Sequence, residues 1–517
     1  MSISEIKKET IKVAYLAFIA HAIGKCISFP VGIIVASILG PSGFGVLAII
    51  LLIMQYLRYS NGIFLVNMTR EVPIAYGGND IEEVHRIYST VLTNYVIATI
   101  GGLSILWTIY AIGFDFHGGL LRKYITVITF MALASCAAAY LRAYAKGEGK
   151  FIIFAHFELV SMIAVPIIKL IGVYCLGLTG LLISMAVSSI GTSAFVYVRL
   201  GRPALRFKID WQKTVELLRT GIPMYLNKVI NGVFISIGLI IAANCLQQAD
   251  VGILSFAMVI AGHKKVPFGT IFTMTIRRQM GLDGGKHGID NKAHFAKYFD
   301  STLIVYALFM SSLVGTQVLF YSVAIKIFLP KFASTIPIFV ILFFAVNFYN
   351  IRHLMYGYLD VTRQMNKRMR ILAVGVVVNI ALCYLGVKMD YGVIGIATGV
   401  GVSLMVVSLN AIYITYKQIF KNPLITYGFV LKLTIISSLL TALIYFYSEF
   451  TFVKYGVDYH NIVDMVFATL DCLIKMSSFL VLSFGLYISL FRKNNVYREL
   501  KKIVDYMYHT VRVRLGY

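Results

Sequence analysis

Nine basic residues stand inside apolar stretches of this sequence: Lys25, Arg58, Lys169, Lys228, Lys264, Lys265, Arg352, Lys432 and Lys475. A cation held at the centre of a bilayer costs about 3 kcal/mol on insertion scales, so it is normally retained only where it faces a cavity or a partner. Acidic partners are scarce. Asp471 and Lys475 are four apart on one helix and can neutralise each other. Lys432 stands near the inner end of its span and can snorkel. Lys169 has only Glu158, three helical turns away on the same span. The others form a set. His21, Lys25 and Ser28 share one helical face, as do Gln55, Arg58, Tyr59 and Gly62; Asn227, Lys228 and Asn231 make a polar patch, and Asn347, Asn350 and His353 line the helix that carries Arg352. A cleft lined by such cations suits an anion that must leave water to cross, because it gains charge-assisted hydrogen bonds inside.

The stretch IAGHKKVPFG, residues 260 to 269, concentrates this chemistry. His263, Lys264 and Lys265 are successive, so they fan around a helix and do not all face one way. Pro267 has no N–H for the carbonyl of His263, which frees that group and kinks the helix. A broken, basic half-helix at mid-depth is the sequence signature of a transporter binding site. A lipid-facing lysine that snorkels, or a re-entrant or surface loop, are the competing readings of this stretch. His21, Glu158 and His353 are candidates for ion coupling, because they can titrate at depth.

Composition fixes the class of element that positions these residues. The chain has 517 residues, 59% hydrophobic and 14% charged, with a mean hydropathy of +0.80. Soluble domains are less apolar and carry about 25% charged residues. Apolar runs of about 20 residues recur along the whole length, so this is a polytopic membrane protein, and its spans are helical because lipid offers no partner for free backbone groups. Fourteen spans are expected, centred near Cys26, Gln55, Ile100, Met131, Val165, Ile190, Val233, His263, Phe309, Phe348, Val378, Val402, Ser437 and Ser478. The opening MSISEIKKETIK is polar and basic, and the run from Val13 to Ser37 is too long for a signal peptide, so it is expected to remain as the first span. With the N-terminus inside, the inner segments carry 32 of the 47 Lys and Arg and the outer loops 6, which places both termini in the cytoplasm. The net charge of +24 follows from that topology and from contact with anionic lipid, and it implies no nucleic-acid partner.

The chain repeats itself weakly. LGPSGFGVL, from Leu39, is echoed by LQQADVGIL, from Leu246; Gly177, Gly180 and Val187-Ser188 recur as Gly392, Gly395 and Val402-Ser403. Two six-span halves in parallel repeat, with two spans appended, fit this pattern, and such architecture belongs to transporters that rock two lobes around a central site. The expected organisation is an N-lobe over 1–200, a cytoplasmic amphipathic connector over 201–220, a C-lobe over 221–416, two further spans over 417–491 and a basic cytoplasmic tail over 492–517. In the connector, Trp211, Val215 and Leu218 share a face that can lie on the inner leaflet.

The first hairpin, FPVGIIVASILGPSGFGVLAII, followed by LVNMTREVPIAYGGND with its Arg70-Glu71 pair, resembles the oligosaccharide and polysaccharide flippases (Wzx-like) of the multidrug/oligosaccharidyl-lipid/polysaccharide (MOP) superfamily. The YGVIGIATGVGVS run from Tyr391 resembles that family's twelfth span. The resemblance implies an all-α fold of about fourteen membrane helices. It also implies translocation of an isoprenoid (undecaprenyl)-pyrophosphate-linked oligosaccharide from the inner to the outer leaflet of the cytoplasmic membrane, for O-antigen, capsule or exopolysaccharide, beside a polymerase and other assembly proteins. The substrate-binding set for the pyrophosphate is then Lys25, Arg58, Lys228, His263, Lys264, Lys265 and Arg352.

Two rivals compete, one within the transporter class and one an enzyme. A cation-coupled drug exporter needs membrane carboxylates, which this chain almost lacks at depth. A glycan polymerase or ligase needs a sizeable outer loop with catalytic groups, and the longest one, Ser448 to Met465, is too short for a folded domain. No catalytic triad, metal-ligand cluster or phosphate loop is present, and the six cysteines form no CxxC pair, so neither catalysis, a metal nor a cofactor is indicated.

Overall fold

The structure, a computed structural model, describes residues 3–113, 119–203, 206–262, 312, 314–362, 364–420, 428, 468, 470–479 and 481–482. It is an all-α membrane protein, and no strand occurs among the described residues. The helices are α1 (Ile3–Gly77), α2 (Ile81–Ala111), α3 (Leu120–Gly147), α4 (Phe151–Arg199), α5 (Trp211–Cys245), α6 (Gln248–Gly262), α7 (Val314–Phe328), α8 (Thr335–Val361), α9 (Met365–Lys388) and α10 (Gly392–Phe420). Among the described residues, seven helices are long and apolar enough to cross a membrane. Expected spans eight, nine, thirteen and fourteen fall wholly or partly outside them.

Two of the helices are each a pair of spans. A 75-residue α1 would be about 110 Å long if straight, several times the bilayer core. Its helical geometry breaks at Gly40, which takes φ 63° just before Pro41. The 49-residue α4 breaks at Leu176–Gly177, with Gly177 at φ 58°. Its two arms then fold back so closely that a Cβ on Gly180 would run into the carbonyl oxygen of Gly172. The turn between α9 and α10 has the same construction: Gly392 takes φ 53°, and Gly386 and Gly395 meet backbone to backbone. The glycines that recur in the sequence therefore do the same job at both hairpins, admitting a left-handed turn and a close helix crossing.

The chain forms two compact units, residues 1–256 and 257–517. In the first, the second arm of α1 packs with α2, α3, α4 and α5 around Met68, Val72, Val84, Val91, Tyr95 and Leu217. Here the two copies of the repeated turn touch: Gly45 lies against the backbone of Gln248 and Gly252, Gly252 against Pro41, and the Phe44 and Phe256 rings meet edge to face at 5.5 Å. In the second unit, α10 packs against both α8 and α9. Asp471 and Lys475 form the expected pair there, buried and 2.8 Å apart.

The connector docks through its polar side. Asp210 caps α5 by accepting from the Lys213 N–H, and it accepts a 2.6 Å hydrogen bond from Arg86. Lys213 is buried between Glu83 at 2.5 Å and Glu216 at 2.6 Å, Asn94 donates to the Thr214 hydroxyl, and Asn67 donates to the Leu217 carbonyl. Trp211 and Val215 point away from the unit, 73% and 49% exposed, whereas Leu218, expected on the same face, packs against the core of the unit. The connector helix runs without interruption into the seventh span as α5. Arg86 and the cap hold the Asp210 carboxyl below its ordinary 3.8, at about 2, so its contribution is full above about pH 4 and disappears as pH falls toward 2. Removing the buried ammonium by Lys213→Met is expected to lower stability by about 2 kcal/mol, the scale of a charged hydrogen bond. The thermal unfolding midpoint of the purified protein reads this, and an unchanged midpoint would show that the latch contributes nothing.

Candidate functional site

The first unit has a half-open cavity of about 190 Å³ among the second arm of α1, α3 and both arms of α4. Each helix presents a stripe to it. From α3 come Met131, Ser135, Ala138 and Arg142, at steps of four, three and four residues. From the first arm of α4 come Phe157, Ser161, Val165 and Lys169, four apart throughout. These spacings place each set along one helical face. Met185, Ser188, Ser189 and Thr192 line the second arm of α4, and Leu51, Met54 and Arg58 line α1. From Phe157 to Lys169 the lining runs about 18 Å along α4, at 1.5 Å per residue. The cavity is elongated along the bundle.

Its charge is one-sided. Arg58, Arg142 and Lys169 line it, and no carboxylate does. Arg58 Nε donates to the Met54 carbonyl and Arg142 Nε to the Ala138 carbonyl, each at 3.2 Å and each on its own helix. The Arg142 guanidinium lies 5.4 Å from the Phe157 ring centre. None of the three cations has an ion pair among the described residues. Glu158 is within electrostatic reach of Arg142 and Lys146 without pairing to either. Most of the hydroxyls are spent on their own helices: Ser135 donates to Ala132, Ser188 to Ser184, Ser189 to Met185 and Thr192 to Ser188. The Ser161 hydroxyl is buried with no hydrogen-bond partner.

Of the residues expected from the sequence, Arg58 enters this cavity. Lys228 stands nearby on α5, exposed and within electrostatic reach of Arg58. One turn before it, the Tyr225 hydroxyl donates to the carbonyls of Arg58 and Tyr59. The rest of that polar face of the second span is a helix seam: Tyr59 packs on Gly232 and Gly62 on Tyr225. Arg352 lies in the second unit, buried, with its guanidinium 4.4 Å from the Tyr349 ring and 5.0 Å from the Tyr356 ring. Arg368 covers Tyr356 at 4.6 Å. Glu158 is half-buried beside the cavity. His263, Lys264 and Lys265 lie outside the described residues, and His21, Lys25 and His353 are on helices whose side chains there are not described.

Sequence reading passes over Arg142. It stands three residues before the AKGEGK turn and counts as a loop cation of the inner face. The signal that finds it is the stripe from Met131 to Arg142, which extends the apolar face of α3 one turn further than its charges suggest. Lys169 is visible in the sequence as a buried cation, and the fold supplies its neighbours from two other helices. Among the described residues no cluster of His, Cys, Asp and Glu has the composition of a metal site.

No family model matches the sequence, and no curated protein matches it. Solved structures share its fold. The lipid II flippase MurJ, in an inward closed conformation, is 13% identical with a TM-score of 0.64, over 89% of this chain and 98% of that one. An inward-facing multidrug resistance MATE family transporter of the MOP superfamily is 14% identical with a TM-score of 0.59, over 82% and 99%. A MOP superfamily transporter from Pyrococcus furiosus, described as having a binding pocket of reversed polarity that suggests a different function, is 13% identical with a TM-score of 0.55, over 79% and 95%. The chain has the fold of MOP superfamily transporters.

Proposed function

We propose that this protein is a flippase that carries an isoprenoid-pyrophosphate-linked oligosaccharide from the inner to the outer leaflet by alternating access, for the assembly of a surface polysaccharide. The observation that carries the reading is the one-sided charge of the cavity in the first unit, which three cations and no carboxylate line. A multiply charged headgroup leaving water needs donors of this kind, and guanidinium forks hold phosphoryl oxygens two at a time. In this reading Lys25, Arg58, Lys228, His263, Lys264, Lys265 and Arg352 form the cationic path for the pyrophosphate, and His21, Glu158 and His353 serve ion coupling. The setting is the cytoplasmic membrane, with both termini inside and a polymerase as partner.

The second reading, a multidrug exporter, is favoured by the fold shared with a MATE transporter. A cationic drug meets repulsion from Arg58, Arg142 and Lys169, which is why it ranks second. Deletion of the gene separates the two. Loss of a surface polysaccharide with its complete lipid-linked repeat unit stranded on the cytoplasmic leaflet is the expected result. Normal polysaccharide with sensitised growth in cationic drugs would replace the flippase by the exporter, and repeat units that reach the outer leaflet unpolymerised would point to a polymerase.

A further inference from the structure

We propose that the connector and the start of α5 form a docking surface for an anionic lipid leaflet, in which Arg202, Arg206 and Arg219 take headgroup charges around Trp211. The outward stripe of the helix differs from the one its sequence suggests. Trp211, Val215, Arg219, Ile222 and Leu226 are all exposed and follow one another at steps of four, four, three and four residues, so they stand along one side of α5. The other side is spent on the first unit: Lys213, Thr214, Leu217 and Gly221 are buried, and a Cβ on Gly221 would run into Asn67. The helix has one bound face and one open face. What covers the open face follows from where it leads. α5 is uninterrupted, and its stretch Tyr225–Cys245 is long and apolar enough to cross the membrane. Leu226 belongs to that stretch, so the open side of the connector continues on the same helix face into a membrane span. Pro223 has no N–H for the Arg219 carbonyl, which lets the helix bend where it leaves the bilayer core.

The charge of the surface fits the same occupant. Arg202, Arg206 and Arg219 are exposed and enter no ion pair among the described residues. The neighbouring carboxylates are already used, Asp210 by Arg86 and both Glu83 and Glu216 by Lys213. Phe207 and Ile209 are exposed between the arginines and Trp211. Unpaired guanidinium groups among exposed aromatic and aliphatic side chains suit the boundary of a negatively charged leaflet, where the rings rest at headgroup level and each cation gains attraction. A neutral leaflet would leave the three arginines uncompensated.

This surface goes beyond the transport reading and does not depend on which substrate is carried. The chain has two tryptophans, so Trp107→Phe leaves Trp211 as the only tryptophan reporter. The full-length Trp107→Phe protein is reconstituted into vesicles of phosphatidylcholine and phosphatidylglycerol, with one or the other lipid brominated on its acyl chains at the same mole fraction. Brominated phosphatidylglycerol is expected to quench Trp211 emission about threefold more strongly than brominated phosphatidylcholine, and added salt should shrink the difference. The Arg202→Gln, Arg206→Gln, Arg219→Gln triple variant should make the two lipids equal. Lysine at the same three positions should keep the preference, because the charge suffices for a leaflet, and it controls for misfolding. Quenching by neither lipid overturns the surface: Trp211 open to aqueous iodide would then face water, and Trp211 closed to iodide would lie under a protein partner. Equal quenching by both lipids in the parent overturns its anionic character, and an unchanged preference in the triple glutamine variant overturns the role of the arginines. The emission needs no transport, so failure of the flippase reading leaves this result as it is.

Discussion

Replacing Arg58 by glutamate is expected to reduce lipid-linked glycan translocation by at least roughly 100-fold, the size of losing one charged hydrogen bond and adding a like-charge repulsion. Membrane abundance should remain near that of the parent protein. The two halves of this expectation have the same cause. Arg58 lines a cavity that it shares with Arg142 and Lys169, so an introduced carboxylate finds cationic partners there and folding is not penalised. The same carboxylate neutralises the site and repels an incoming phosphoryl group. Arg58→Lys should keep most of the activity, because it preserves charge at that position while losing the forked geometry. Arg58→Gln should fall between the two. Translocation within threefold of the parent in the glutamate variant, measured with a lipid-linked probe in vesicles, would sink the role proposed for this residue.

Gly180→Leu and Gly395→Leu should each leave almost no monodisperse protein after extraction, a loss of at least about tenfold, because overpacking at a closed contact costs on the order of 1–3 kcal/mol for small additions and more for a whole side chain. In membranes the close approach of small residues is itself a main source of helix association. At Gly180 a Cβ alone would strike the Gly172 carbonyl oxygen, and at Gly395 it would strike the Gly386 backbone. Neither obstacle is the far end of a flexible side chain. Gly101→Leu and Gly191→Leu are the matched controls: both glycines are exposed, and nothing lies within 4 Å of a Cβ built on them. They should behave as the parent does on size-exclusion chromatography. Equal losses at all four positions would mean that insertion of the added leucine, rather than the hairpin contact, is being measured.

Several features follow from local chemistry and were therefore legible in the chain order of residues. Gly40 beside Pro41 and the isolated Gly177 and Gly392 are positions where only a left-handed turn fits between two apolar runs, and each takes a positive φ. The pair Asp471–Lys475 needs only helical spacing to meet. Arg58 announced itself because a cation in a greasy stretch is costly wherever the neighbours are. On the connector the period of one helix gave Trp211 and Val215 their common exposed side, but not the packing of Leu218 against the core of the first unit.

What the sequence by itself determined is what one helix and its solvent decide: an all-α membrane protein, the places where the chain turns, and the cations that must be compensated at depth. Burial in lipid forces each backbone to satisfy itself, so every span is decided within about 20 residues. What only the tertiary structure decided is which of those cations share a cavity. Arg58, Arg142 and Lys169 are separated by 84 and 27 positions and line one cavity because α3 and the two arms of α4 present matching stripes toward α1. The same holds for Glu83 and Lys213, which close the connector latch across 130 positions. Such meetings depend on helix crossings set by side-chain shape at contacts far apart in sequence, and a stripe of residues carries no record of the helix it will face.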